Sequence, residues 1–379
     1  MNRTDEIPDS VLRTRYTRRD MVRHAALLGG SVAAAPLLAA CGNSSPEQAG
    51  SGSGTGGDTS GGSKRVVVAD WGGAIQDAEK KHLYDPFSKE TGIEVVISGP
   101  PSDAKIKAMV DSGNVEWDLV AGGMANVIAL GRDYFEPFPD KLKTIDGVDP
   151  KYIDTHALAY YVFSTNIGWN TKSLKGMTVD DWPAFWSQSV PGKRTLLGPE
   201  GYGAELEFAL MADGVAPDQI YPIDVDRAFN SLAKIKPRIA QWWASGSQPG
   251  QMLVSGQVSA ASIWIGRIKT LQDEGAPIGF TFNQGLIQPA SWIVPKGAKN
   301  KDAAFQLAEY SLQPEVQGRL WGSYLEGPTN TKALDLMDEK WAKGLPTHPD
   351  NVKLQVFSDP EWWGKNLADV LKRFQQFVL

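Results

Sequence analysis

The chain of 379 residues has few of the residues that metal centres and disulfide scaffolds require. It contains one cysteine and four histidines, which excludes a disulfide framework and a cysteine-ligated zinc site. Acidic residues outnumber basic residues by 44 to 38, so we expect no basic face and no nucleic-acid partner. The only long apolar stretch lies near the N-terminus, which excludes a protein with several membrane spans. With 42% hydrophobic and 22% charged residues, the composition is that of an ordinary globular protein.

The single cysteine ends a segment that has the features of an export signal. Arg18 and Arg19 precede an apolar run at residues 25–40, and Cys41 follows small residues. A basic, an apolar and a small-residue region in this order indicate a secretory signal, and the paired arginines resemble a twin-arginine signal. The run of 16 residues is shorter than the roughly 20 that a spanning helix needs. We predict that residues 1–40 are a signal peptide and that Cys41, in a sequence resembling a lipobox, is lipidated.

Residues 41–64 are predicted to be a flexible tether. Between residues 42 and 63, fourteen of 22 residues are glycine or serine, and none can pack into a core, which is typical of a flexible coil. We therefore expect an exported monomer, held by lipid on the outer face of the cytoplasmic membrane or located in the periplasm.

The rest of the chain alternates between predicted strands and helices, and its length predicts about two domains. The first part has strands at 64–69, 93–97 and 118–121, and helices at 74–91, which ends at Gly92, and at 103–112. In the second part, strands are predicted at 162–169, 195–197, 260–264, 278–282 and 291–294, with the segment NQGLIQPA as a loop between the last two. Its helices are predicted at 203–212, 225–235, 303–312 and 315–324, with another ending at Gly256. This alternation indicates an α/β fold with a mostly parallel sheet covered by helices.

Loops at the carboxyl ends of such strands are the expected ligand-binding region. They include Trp71-Gly72-Gly73, Gly122-Gly123-Met124, residues 199–203, and Trp264-Ile265-Gly266-Arg267. Glycine allows backbone amides to approach a ligand, and the helix that follows adds partial positive charge.

Seven segments together resemble bacterial extracellular solute-binding proteins of the polyamine-binding group. They occur in family order between about residues 66 and 330 and read WGGAIQDAEKKHLYDPFSKETGIEVV, NVEWDLV, YPIDVDRAFNSLAKIKPRI, QWWASGSQ, SAASIWIGRI, GAPIGFTFNQG and WIVPKGAKNKDAAFQLAEYSLQPEVQGRL. The resemblance implies a two-lobed fold, each lobe a mixed sheet flanked by helices, with a ligand cleft between the lobes. Crossovers are expected at residues 163–166 and 285–289, so that lobe I is 65–163 plus 287–330 and lobe II is 164–286 plus 331–379.

The resemblance also implies a function. The lobes would close around a small solute and deliver it to an ABC permease driven by a cytoplasmic ATPase, because this chain lacks a P-loop lysine motif. A polyamine needs carboxylates for its ammonium groups and aromatic walls for its methylenes. Trp71, Trp264 and Trp292 are the predicted walls, with Tyr202 and Trp243 behind them. The other predicted ligand-binding residues are Gly72, Gly73, Gly123, Met124, Glu205 and Arg267.

The predicted site departs from the polyamine pattern in its charges. Polyamine binders carry an aspartate directly before the strand that reads SWIVP, where this chain has Ala290. Arg267, if it enters the cleft, favours a carboxylate. A small organic anion or an aromatic acid is therefore the alternative ligand to a polyamine.

Two other classes of function remain as alternatives. A secreted enzyme would pair Glu205 or Asp70 with a histidine, but no catalytic motif is present. A ferric-iron binder would use Tyr160 and Tyr161, although adjacent strand residues are expected to point to opposite faces. We predict no catalytic residue, no metal and no cofactor.

Overall fold

The computed structural model describes residues 64–199 and 205–379. Residues 61–379 form one compact unit. The predicted signal peptide, Cys41, the tether and Tyr202 lie outside the described residues. Among the described helices, none is long and apolar enough to cross a membrane.

The first part of the chain follows the predicted order of strands and helices. Gly92, in a left-handed conformation with φ 70°, ends the first helical region, as the sequence predicts. Ser102 caps the next long helix by accepting a hydrogen bond from the Lys105 amide. The elements are β1 (Arg65–Ala69), α1 (Gly73–Glu79), a π-helical turn (Lys80–Tyr84), α2 (Asp85–Thr91), β2 (Glu94–Ser98), α3 (Asp103–Ser112), β3 (Leu119–Gly122), α4 (Met124–Leu130) and β4 (Leu158–Asn170).

The middle of the chain again alternates strands and helices. Asp224 caps an amphipathic helix through the Arg227 amide, and this helix buries a stripe of apolar residues, Phe229, Leu232 and Ile235. The elements are α5 (Trp182–Trp186), β5 (Arg194–Leu197), α6 (Leu206–Ala212), α7 (Val225–Ile235), β6 (Ile239–Trp243), α8 (Gln248–Val254), β7 (Ala260–Trp264) and α9 (Ile265–Asp273).

One long strand replaces the predicted strand–loop–strand at residues 278–294. β8 (Ile278–Ile293) continues through NQGLIQPA, so the prediction of a loop is wrong. The reason is tertiary pairing: β8 lies antiparallel to β4 along nearly its whole length, and a register shift between Thr165 and Ile167 absorbs the irregular residues. At this bulge Gln284 takes the left-handed conformation, φ 59°.

The C-terminal part consists mostly of helices that return to the sheet. It begins with α10 (Lys301–Ser311) and α11 (Pro314–Trp321), and it ends with a 19-residue helix capped by Asp359. The remaining elements are β9 (Gly327–Pro328), α12 (Glu339–Ala342), α13 (Pro349–Val352), β10 (Val356–Phe357) and α14 (Pro360–Val378).

The described strands form one mixed sheet in the order β2-β1-β3-β8-β4-β7-β5-β6, with β9 beside β4 and β10 beside β8. β1 is parallel to β2 and β3, and β5 is parallel to β6 and β7. Between these groups, β4 and β8 run antiparallel to each other. The two predicted crossover segments are therefore side by side, with Phe163 opposite Gln288 and Thr165 opposite Leu286.

The cores lie on the two sides of the β4–β8 pair. One core joins β1 and β3 to α2, α10 and α11 and contains Trp117, Trp292 and Trp321. A second core joins α5, α6 and α7 and contains Trp182 and Phe208, and a smaller core lies around β7, α8 and α9. The protein thus has the two-lobed α/β fold that the resemblance implies.

The last 49 residues contact both cores, whereas the resemblance suggested lobe II alone. Trp363 and Phe374 of α14 belong to the second core. Gly364 on the same helix lies against Ile128 of α4, and the indole N–H of Trp341 donates to the Trp321 carbonyl of α11. The segment therefore packs against elements of both cores.

Candidate ligand-binding site

The loop after β1 presents a tryptophan at the edge of the sheet. Buried Asp70 holds this loop: one carboxylate oxygen accepts the Trp71 backbone N–H at 2.6 Å, and the other accepts the Tyr84 hydroxyl at 3.0 Å. Trp71 is 49% exposed. Gly72 and Gly73 both have positive φ, 79° and 73°, a conformation that favours glycine. The turn that exposes the Trp71 indole thus requires glycine at positions 72 and 73.

The loop after β3 lies against the crossover strand β8. A Cβ on Gly122 would lie 2.7 Å from the Ile293 side chain, and one on Gly123 would lie 3.8 Å from the Pro289 carbonyl. Met124 begins α4 and packs partly buried against the first core. These predicted residues border the same edge as Trp71, because β1 and β3 are parallel neighbours.

Three aromatic rings meet at the carboxyl end of β7. Trp264 is partly buried, and its ring packs edge-on against Trp243 at 5.2 Å and against Phe163 at 6.2 Å. Trp243 is fully buried, and its indole N–H donates to the Ser262 hydroxyl at 3.1 Å. Trp243 therefore packs against the buried side of Trp264. The Trp264 ring lies next to Phe163, at the crossover segment of β4.

Arg267 lies in the first turn of α9, three residues after Trp264. Its side chain is partly buried, and among the described residues it makes no ion pair or hydrogen bond; its electrostatic partners are Glu326 and Tyr324. Gly246 makes room for both side chains, because a Cβ there would overlap the Trp264 ring and lie 3.5 Å from the Arg267 Nε. The loop after β6 thus packs closely against both Trp264 and Arg267.

Glu205 precedes α6 and is buried at 6% exposure. Its Oε2 accepts the Leu197 amide at 3.1 Å, whereas Oε1 has no hydrogen-bond partner in the described part of the chain. Burial raises the pKa of Glu205 to about 8, although the nearby Ser262 hydroxyl and Leu197 amide act to lower it. At neutral pH this carboxyl is mostly protonated in the ligand-free protein.

Trp292 departs from its predicted role as a wall. It is fully buried, stacks on Tyr160 at 3.9 Å with an interplanar angle of 13°, and donates its indole N–H to the Ser311 hydroxyl at 2.9 Å. The side chain is thus part of the first core, where it joins β8 to Tyr160 of β4 and to Ser311 of α10.

Sequence reasoning missed a buried acidic cluster next to the Trp71 loop. Glu79 has no exposed surface; it accepts the Tyr160 hydroxyl at 2.9 Å and the Tyr84 hydroxyl at 3.4 Å. Burial, followed by the charge of Asp70, raises the pKa of Glu79 well above its ordinary value. The signal in the sequence is the four-residue spacing of Glu79, Leu83 and Phe87, which places Glu79 on the buried face of the helical region.

The structure overturns the expectation that Tyr160 and Tyr161 point to opposite faces. Their ring centroids are 4.7 Å apart, because a register shift between Ala159 and Tyr161 interrupts the pairing of β4 with β8. Burial raises the pKa of both phenols well above the ordinary value, which opposes the phenolate form that would ligate iron. Within residues 64–199 and 205–379, no group of three or more His, Cys, Asp or Glu side chains could hold a metal ion.

Two surface grooves lie away from these residues. One, of about 510 Å³, borders α11 and includes Arg319, Leu336 and Trp341; the other, of about 370 Å³, borders α8. Neither contains a predicted ligand-binding residue. The candidate site is therefore defined by residues at the carboxyl ends of strands, namely Trp71, Gly123, Trp264 and Arg267. It does not coincide with either groove.

Comparison with known proteins agrees with this architecture. The family model described as bacterial extracellular solute-binding protein matches residues 82–348. The gamma-aminobutyric acid-binding protein of Pseudomonas aeruginosa is 31% identical over 83% of this chain and 91% of its own length. The spermidine/putrescine-binding periplasmic protein 1 of Haemophilus influenzae is 23% identical over 94% of this chain and 98% of its own length.

A solved structure extends the similarity to three dimensions. The structure of the Atu4243–GABA receptor is 32% identical and superposes with a TM-score of 0.77, covering 83% of this chain and 98% of the receptor. Sequence and fold thus agree over most of the chain. The chain belongs to the bacterial extracellular solute-binding proteins, the family that binds small molecules outside the cytoplasm for ABC importers.

Proposed function

We propose that this protein captures a small amino-acid-like solute, with one carboxylate and one amine, and delivers it to an ABC permease. The observation that carries this proposal is Arg267, which has no ion pair among the described residues and lies beside Trp264 at the carboxyl end of β7. A short ω-amino acid such as 4-aminobutyrate fits this chemistry.

Arg267 supplies the features that a carboxylate ligand needs. A guanidinium binds a carboxylate through two parallel hydrogen bonds, each charge-assisted bond contributing about 1.5–3 kcal/mol. The first turn of α9 adds the partial positive charge of a helix N-terminus. Because no described carboxylate pairs with Arg267, a ligand carboxylate would neutralise a charge that is otherwise only partly solvated.

Trp71 and Trp264 supply the apolar part of the site. They follow strands on different sides of the β4–β8 pair, so a ligand between them contacts both lobes. A methylene chain packs on indole faces, and an ammonium group near an indole gains about 0.5–2 kcal/mol. The similarity to a relative named for gamma-aminobutyric acid supports the same class of ligand.

A polyamine is the second candidate. The buried carboxyls of Glu205 and Glu326 each have an oxygen without a hydrogen-bond partner among the described residues, and two ammonium groups could occupy them. Ala290, which stands where polyamine binders carry an aspartate, is buried opposite Tyr161. A polyamine would also place positive charge near Arg267, so the arginine favours the amino acid.

Isothermal titration calorimetry tests the proposal directly. The lipid-free protein should bind 4-aminobutyrate more tightly than putrescine or spermidine, and Arg267→Gln should weaken 4-aminobutyrate at least thirtyfold, which is about 2 kcal/mol. The variant Arg227→Gln, which alters an exposed arginine paired with Asp213, is the control and should bind like the wild type. If the wild type binds putrescine more tightly than 4-aminobutyrate, and Arg267→Gln strengthens putrescine binding, the polyamine candidate is favoured instead.

We also propose the arrangement of this protein in the cell envelope. Lobe I comprises residues 65–163 and 287–330, lobe II comprises 164–286, and residues 331–379 cover both. Cleavage before Cys41 and lipidation of that cysteine would leave the protein anchored as a monomer on the outer face of the cytoplasmic membrane. Metabolic labelling with a palmitate analogue tests this, since Cys41→Ser should abolish the label.

A further inference from the structure

Glu326 is a buried carboxyl that the predicted site does not include. It lies between α11 and β9, and β9 pairs with β4 at Tyr161 and Val162. The residue is 4% exposed, and its Oε2 has no hydrogen-bond partner in the described ranges. A buried carboxyl without a partner is costly unless a ligand or a proton compensates it.

Glu326 faces the same helical turn that carries Arg267. Its Oε1 lies 3.0 Å from the position that a Cβ on Gly266 would occupy, and the Tyr324 ring lies equally close. Glycine at 266 therefore lets the carboxyl approach the first turn of α9. Leu325, the neighbour of Glu326, packs in the same small core as Ile265 and Ile268 of α9.

Glu326 and Arg267 influence each other without forming an ion pair. The charge of Arg267 lowers the pKa of Glu326, but burial has the larger effect and raises it well above the ordinary value. Among the described residues the two side chains form no ion pair. No nitrogen of Arg267 therefore lies within 4.0 Å of a Glu326 carboxyl oxygen. The Glu326 carboxyl and the Arg267 guanidinium are thus near enough to interact electrostatically but form no ion pair with each other.

We propose that Glu326 binds the ammonium group of the ligand whose carboxylate is bound by Arg267. This assignment rests on the proposed function and adds the second half of the site. A zwitterion fits this pair because its ammonium would favour the ionised form of the Glu326 carboxyl while its carboxylate pairs with the Arg267 guanidinium. Since Glu326 belongs to the proposed lobe I and Arg267 to the proposed lobe II, the ligand would also hold the lobes together.

Glu207 provides a matched comparison. It too is a buried carboxyl with one oxygen that lacks a partner among the described residues. It lies on α6, where its Oε1 accepts hydrogen bonds from the Tyr221 hydroxyl and the Trp363 indole, whereas the electrostatic partners of Glu326 include Arg267. Replacing either carboxyl with the isosteric amide removes the charge and keeps the shape.

The experiment compares two ligands on three proteins. 4-Hydroxybutyrate replaces the ammonium of 4-aminobutyrate with a neutral hydroxyl and keeps the carboxylate. Calorimetry, with competition titrations for weak binding, gives the Kd of both ligands for the wild type, Glu326→Gln and Glu207→Gln, after circular dichroism has shown that each protein is folded.

We expect the wild type to bind 4-aminobutyrate more tightly than 4-hydroxybutyrate. The substitution Glu326→Gln should raise the Kd of 4-aminobutyrate at least thirtyfold and change the Kd of 4-hydroxybutyrate less than threefold. Glu207→Gln should keep the wild-type preference. Equal weakening of both ligands, or an unchanged Kd for 4-aminobutyrate, overturns the assignment of Glu326 and leaves the role of Arg267 intact. Failure of the wild type to bind either ligand overturns the proposed function itself, and this assignment with it.

Discussion

At the scale of single residues, two tryptophans that are both predicted to line the site, Trp264 and Trp292, have different surroundings. Trp264 is partly buried, and its ring meets Trp243 and Phe163 only edge-on. Trp292 is fully buried and stacked on Tyr160. Both are predicted as walls from their positions in the resemblance to polyamine-binding proteins, but only tertiary packing distinguishes a ring that lines a site from one that fills a core.

Alanine substitutions should separate these two roles. Trp292→Ala removes a fully buried indole and should lower the free energy of unfolding by about 3–5 kcal/mol. Trp264→Ala should weaken 4-aminobutyrate at least tenfold with a much smaller loss of stability. Urea unfolding and calorimetry measure the two effects, and equal loss of stability in both variants would identify Trp264 as a core residue.

The buried carboxyl of Glu205 makes a prediction about pH. Its pKa is raised to about 8 in the folded protein, against about 4.3 in an unfolded chain. The folded state therefore holds a proton that the unfolded state releases between these values, so the stabilising contribution is complete below about pH 4.3 and is lost as the pH rises to about 8.

Glu205→Gln should remove this dependence. Relative to the variant, the wild type should lose up to about 1.4 kcal/mol of stability per pH unit between pH 5 and 8. Urea unfolding at pH 5, 6, 7 and 8 measures the difference, with Glu274→Gln as an exposed control. Parallel curves for the wild type and Glu205→Gln would contradict the prediction.

At the scale of elements, α14 connects surfaces that the strand order separates. The indole N–H of Trp363 donates to Glu207 of α6 at 2.7 Å, and Arg373 pairs with Asp226 of α7 at 2.6 Å. On its other side Gly364 lies against α4, where a Cβ would be 2.5 Å from the Ile128 Cβ and 2.9 Å from the Ala125 carbonyl. Glycine is needed there because the two helices are in close contact.

Gly364→Ala tests the importance of this contact. Overlap with Ile128 should cost about 1–3 kcal/mol, more than the gain of about 1 kcal/mol in helix propensity. Gln375→Ala, at an exposed position of the same helix, gains propensity without overlap and should not destabilise the protein. A more stable Gly364→Ala variant in urea unfolding would show that α14 and α4 are not in close contact.

At the scale of the whole molecule, two parallel groups of strands are joined through the antiparallel β4–β8 pair. Few strands cross between the lobes, so bending at this pair alters few contacts within either core. A ligand held by Arg267 from one side and by Glu326 from the other would favour the closed arrangement.

Small-angle X-ray scattering should detect this closure. At saturating 4-aminobutyrate the radius of gyration of the wild type should decrease, whereas Arg267→Gln at the same ligand concentration should scatter like the ligand-free protein. An unchanged radius of gyration for a wild-type sample that calorimetry shows to be saturated would contradict closure.

The amino-acid sequence by itself determined the local elements and the kind of protein. The end of the first helical region at Gly92, the amphipathic stripe of α7 and the glycines after Trp71 all follow from local rules of backbone conformation and periodicity. These signals depend on neighbours a few residues away, and so they can be interpreted without the fold.

Only the tertiary structure decided the features that depend on distant partners. NQGLIQPA became a strand because β4 lies beside it, and Trp292 became a core residue because Tyr160 stacks on it. Glu326 gained its position through contact with α9, some sixty residues earlier in the chain. Burial and charge at such positions result from the packing of segments far apart in sequence, and no local pattern encodes that packing.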